Sequence, residues 1–126
     1  HQDIVQKLIE NGADVNAADI ENASTPLLYA TSAGNYEIAK LLLANGADPN
    51  MANQYGNTPL IFAVKSGNQQ VVEALLDKGA DINAKNHRGN NAAIVAAASS
   101  QPEMLNLLGR RGADIYTSNE KGESAA

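Results

Sequence analysis

The chain has 126 residues, enough for one domain, and 44% of them are hydrophobic, which is ordinary for a globular protein. Aromatics make up 4% and tryptophan is absent, so any core must be built from Leu, Ile, Val and Ala. Cysteine is absent, which excludes disulfides and thiolate chemistry, and the net charge of −5 lies entirely in residues 1–63. That acidic front half argues against a nucleic-acid partner, whose phosphates call for a basic footprint.

No apolar run approaches the length of a membrane span, and no charged-then-apolar leader opens the chain. It begins with His1 instead of methionine, so it is expected to be a fragment or a processed product. With no cysteine, the chain fits a reducing compartment, and a cytoplasmic location is the expectation.

From the first residues onward one string recurs: LIENGADVN, LLLANGADPN, LLDKGADIN and LGRRGADIY. The glycines of these copies are Gly12, Gly46, Gly79 and Gly112, spaced 34, 33 and 33 residues apart. A period of that size marks stacked helical units. The single long spacing comes from one extra residue in AADIENAS relative to MANQYGN.

A trailing helix is expected over roughly 3–11. Three helix pairs follow over about 25–45, 58–78 and 91–111, and a further unit opens from Asn119. Thr25-Pro26-Leu27 returns as Thr58-Pro59-Leu60 and decays to Asn91-Ala92-Ala93. In each intact copy threonine suits the N-cap and proline the first helical turn. Gly67-Asn68 separates the two helices of the middle pair, and Gly79 ends the second of them. Val71, Val72, Leu75 and Leu76 make an apolar stripe on that second helix. ADINAKNHRGN then reads as a hairpin or turn. Asp14, Asp48, Asp81 and Asp114 belong to separate layers and are expected to bond turn backbone, and Asn16, Asn50 and Asn83, which follow the first three, are read as turn asparagines. Helices this short are unstable alone, so neighbouring units must bury them. The third pair is expected to be the weakest, because Ser100 replaces the interhelix glycine and Gly109 stands where Leu43 and Leu76 stand.

The pattern Asn53-x-x-Gly56-x-Thr58-Pro59-Leu60-x-x-Ala63, Gly67-Asn68, Val71-Val72-x-x-Leu75-Leu76-x-x-Gly79-Ala80-Asp81-Ile82-Asn83 resembles the ankyrin repeat. The resemblance implies an all-α solenoid of stacked helix-turn-helix units with projecting hairpin loops. A single domain over 1–126 would hold a partial repeat 1–19, repeats at about 20–52, 53–85 and 86–118, and a partial repeat 119–126. Leu28, Ile61 and Ile94 replace the histidine the family commonly has after TPL, which implies aliphatic packing there and loosely held loops.

Little in the sequence suggests chemistry. Two histidines and no cysteine leave almost no raw material for a metal cluster or a nucleophilic triad, and no phosphate-binding glycine motif occurs. No enzymatic activity, cofactor or metal is expected. The resemblance implies instead a monomeric module that binds another protein through the concave face and loop tips, with no nucleic-acid or membrane partner. Two other readings are a regulatory or targeting segment of a larger enzyme or effector whose catalytic domain lies elsewhere, and a passive spacer.

Partner-binding candidates, taken from positions that depart from the family pattern, are Tyr29, Gln54, Tyr55, Asn57, Phe62, Lys65, Ser66, His87, Arg88 and Asn90. Ser32, Ala33, Val95, Ala98, Ser99, Glu120 and Lys121 occupy comparable positions. For Tyr29 and Phe62, core packing between layers is an equal alternative.

Overall fold

The structure is a computed structural model, and it describes residues 15–114. Six helices lie among these residues: α1 (Pro26–Ser32), α2 (Tyr36–Ala44), α3 (Pro59–Ser66), α4 (Gln69–Asp77), α5 (Ala92–Ala98) and α6 (Pro102–Arg110). No strand is present among the described residues. The all-helical stack read from the sequence is what the chain forms. The helix placed at 3–11 and the unit opening at Asn119 lie outside the described residues.

Each first helix packs on its own second helix, and first helices stack on first helices: α1 on α3, and α3 on α5. Among the second helices α2 packs on α4. Ala30, Ala63 and Ala96, one period apart and all buried, keep the first helices close. Leu42, Leu75 and Leu108 run through the second helices at the same interval and are at most 1% exposed. Leu28, Ile61 and Ile94 are buried, so the positions after TPL contribute aliphatic packing, as the resemblance implies.

The caps follow from the local sequence. Thr25 and Thr58 accept from the amides of Leu28 and Ile61 at 3.3 and 3.2 Å. Asn91 does the same for Ile94 at 2.9 Å, so the degraded TPL copy keeps its cap. Second helices start on Asn35 and Asn68, whose side chains accept from Ile38 and Val71 at 3.1 Å. Gln101 takes that place in the third pair and makes no cap bond. Its Nε2 donates instead to the Val64 carbonyl of the preceding layer at 2.8 Å.

The loops are held more firmly than the resemblance implies. Backbone bonds Asp19 N to Ser24 O, Asn53 N to Asn57 O and Asn86 N to Asn90 O close each tip, at 2.9, 3.1 and 2.9 Å. The extra residue of the first unit lies inside the first of these turns. Neighbouring tips are bonded to each other as well, Gln54 N to Asn22 O at 2.9 Å and His87 N to Tyr55 O at 3.0 Å.

The asparagines after GAD do more than shape turns. Asn50 donates to the Gly79 carbonyl at 3.1 Å and accepts from the Asp81 amide at 2.7 Å, both in the next layer. Asn16 makes the same pair of bonds to Gly46 and Asp48, and Asn83 accepts from Asp114. Asp48 and Asp81 bond turn amides, those of Asn50 and Asn83, as expected. A repeated clip therefore joins successive layers at the foot of the second helices.

Two features of the third pair are open to repair. Ser100 sits at φ 54°, in the left-handed region that glycine occupies without cost. A Cβ added at Gly109 would meet nothing within 4 Å, so the glycine brings only its helix penalty. Ser100→Gly and Gly109→Ala should each raise the unfolding free energy by about 1 kcal/mol, read from urea denaturation. A fall in stability for either would contradict this account of the third pair.

Candidate functional site

Six of the ten expected binding residues meet in one groove of about 360 Å³ between the loop tips and helix α3. Tyr55, Asn57, Lys65, Asn86, His87, Arg88 and Asn90 line it. Lys65 comes from the last turn of α3, and the others from two successive tips.

Hydrogen bonds fix the groove's shape. Asn53 Oδ1 accepts from the amides of Tyr55 and Asn57 at 2.9 and 3.1 Å. Asn86 Oδ1 accepts from Arg88 and Asn90, both at 3.0 Å. The Asn86 side chain also donates to Asn57 Oδ1 at 2.8 Å, tying the two tips beneath the groove. Tyr55 is 60% exposed. No carboxylate lines the groove, and the side chains of Lys65 and Arg88 take no part in an ion pair among the described residues.

The remaining candidates are placed differently. Tyr29 is 56% exposed, but its phenol donates to the carboxylate of Asp19 in the first loop. That bond, with the backbone amide of Asn22, holds Asp19 below the usual carboxylate range, and the same bond raises Tyr29 above its ordinary value. The pair therefore supports the first loop at neutral pH. Its contribution fades as pH falls through the lowered Asp19 value or rises through the raised Tyr29 value. Phe62 is half-buried beneath Lys65, whose Nζ lies 6.0 Å from the ring centroid. The Ser66 hydroxyl donates to Ala63 O at 2.9 Å, and Gln54 is an exposed tip residue. Val95 is buried in the core cluster, so it is not a surface contact. Ser32, Ala33, Ala98 and Ser99 are exposed. Glu120 and Lys121 lie outside the described residues.

A second groove, which sequence reasoning missed, has a volume of about 420 Å³ and lies on the opposite layer between α2 and α4. Tyr36, Lys40, Leu43, Gln70, Glu73, Ala74, Asp77 and Lys78 line it. Its charges are mixed: Lys40 lies 5.8 Å from the centroid of the Tyr36 ring, and Asp77 is bridged to Arg111 at 2.8 Å. The available signal was Tyr36, a large ring opening a second helix.

The loop-face groove offers cations, amides and an aromatic ring, which suit recognition. Among the described residues no group of His, Cys, Asp and Glu is placed to hold a metal ion, and no helix is long and apolar enough to cross a membrane.

Comparison with known proteins agrees with this architecture. A family model described as ankyrin repeats (3 copies) matches residues 1–86 and 53–119. The chain is 49% identical over 49 residues to ankyrin repeat and KH domain-containing protein mask-1 of Caenorhabditis elegans, covering 39% of this chain and 2% of that protein. It is 46% identical over 52 residues to the 2-5A-dependent ribonuclease of Mus musculus, covering 41% and 7%. Against the ankyrin repeat and LEM domain-containing protein 1 homolog of C. elegans it is 48% identical over 54 residues, covering 43% and 8%. The matched segments thus span less than a tenth of these relatives. With three stacked helix pairs, a recurring cap and glycine pattern, and a family match across nearly its whole length, the chain belongs to the ankyrin-repeat family.

Proposed function

We propose that this chain is a non-catalytic interaction module that acts as a monomer and binds a partner protein along the groove between the loop tips and α3. The observation that carries this reading is Tyr55, a ring left 60% exposed at a groove whose backbone is pinned on both sides. Exposed aromatics on a pre-organised surface are favoured anchors, because little ordering cost opposes their burial. Ankyrin repeats are in general protein-interaction modules, and such stacks offer extended binding surfaces.

Partner binding by Tyr55→Ala and Arg88→Ala, with Lys40→Ala on the opposite layer as control, tests the site. Loss of a buried anchor should weaken binding by about 2 kcal/mol, roughly thirtyfold, while the control stays near the parent. If Lys40→Ala weakens binding as much as the other two, with all variants folded by circular dichroism, the groove between α2 and α4 is the site instead.

A second reading draws support from the likeness to a 2-5A-dependent ribonuclease. The repeats would then be the regulatory or targeting segment of a larger enzyme, binding through the same groove. The sequence of the whole gene separates the two.

A further inference from the structure

We infer that the loop-face groove takes an acidic peptide segment of the partner, seating a carboxylate between Lys65 and Arg88 with an apolar side chain against Tyr55. This rests on the protein-binding reading and adds the chemistry of the bound segment.

Charge placement carries the inference. The chain is acidic overall, yet this groove is lined by Lys65, Arg88 and His87 with no carboxylate among its lining residues. The opposite groove instead holds both signs of charge in balance, with Lys40 and Lys78 alongside Glu73 and Asp77. A chain with net charge −5 repels acidic segments in general, so a carboxylate-free cleft with two side-chain cations is where one would be drawn. Both cations are exposed, and neither is spent on an internal ion pair among the described residues.

Geometry sets the kind of segment. Lys65 comes from a helix and Arg88 from the tip of the next unit, both lining the same groove, so a carboxylate seated there can meet two donors from different elements. Arg88 is carried on a tip whose amides are fixed by Asn86, which limits the ordering cost of binding. Tyr55 supplies the apolar part of the surface, which calls for one large side chain beside the acidic residues. Asn57 and Asn86, bonded to each other, keep the two tips at a fixed separation.

The test uses the full chain and three labelled probes, read by fluorescence anisotropy: a short Glu- and Asp-rich peptide around one Leu, its Gln and Asn counterpart, and single-stranded oligouridylate. The acidic peptide should bind, its affinity should fall as salt is raised, and the neutral counterpart should bind far more weakly. Lys65→Gln with Arg88→Gln should weaken the acidic peptide by about tenfold or more. Equal binding of both peptides, no effect of the double variant in a folded protein, or tighter binding of the oligouridylate would overturn the inference. Should the partner protein lose affinity on Tyr55→Ala while the acidic peptide fails to bind, this inference falls and the protein-binding reading stands.

Discussion

Leu75→Ala is expected to cost about 2–5 kcal/mol of folding free energy, the range for a buried leucine whose site collapses only in part. Leu75 is 0% exposed and lies between Leu42 and Leu108 in the row that runs through all three second helices. Its layer is the middle one described, with α2 packed against α4 on one side and α3 against α5 on the other. In a stack where each unit is stable only by contact with its neighbours, weakening the central layer weakens both interfaces. Urea denaturation should therefore show a much lower midpoint. Leu76→Ala, one residue away and only half-buried, is the matched control and should cost clearly less. Equal costs for the two would mean that the leucine row is not the core of the stack.

Gly56→Ala should be the most damaging change on the loop face. Gly56 adopts φ 77°, and a Cβ there would lie 2.7 Å from His87 Cδ2, 3.0 Å from the His87 amide nitrogen and 3.1 Å from Asn86 Cα. A side-chain atom can move aside, but the two backbone atoms belong to the next tip, which Asn86 and the bond from His87 N to Tyr55 O hold in place. Left-handed strain of about 1–2 kcal/mol is thus joined by displacement of the neighbouring loop, for a total of about 2–4 kcal/mol. Gly46→Ala provides the comparison: its φ is 94°, yet a Cβ there meets nothing within 4 Å. It should show the backbone strain alone. Should both variants lose the same stability, the close approach of the tips is not a real constraint. Gly56→Ala should also weaken partner binding, since it separates Tyr55 from Arg88.

Much of the fold was legible because its determinants are local. A threonine before proline, a glycine three residues past a leucine pair and an asparagine after an interhelix glycine each fix a cap or a stop within one turn of themselves. Determinants that act across the stack were harder to read. Asn50 looks like a turn residue in sequence, and its bonds to Gly79 and Asp81 exist only once two layers are superposed. The loops, expected to be loose, are held by backbone bonds between tips about thirty residues apart, which no local pattern encodes.

The candidate site was legible to a similar degree. Repeat arithmetic puts Tyr55 and Arg88 in successive tips and Lys65 at the end of a first helix, so their meeting in one groove follows from the period. Exposure within a helix was not readable in that way. Tyr29, Phe62 and Val95 occupy the same place in three successive units, yet they are exposed, half-buried and buried in turn. The groove between α2 and α4 escaped because its lining is drawn mostly from variable positions on two second helices, which show no shared motif and have only Tyr36 to mark them.

Hydrogen exchange of the chain, alone and saturated with its partner protein, tests the central claim most directly because it reports the binding face without altering any residue. Amides of residues 54–57 and 86–90, with the last turn of α3, should exchange more slowly in the complex, while α2 and α4 should be unchanged. Slowing confined to α2 and α4, with the loop tips unaffected, would contradict the account and move the partner to the opposite layer.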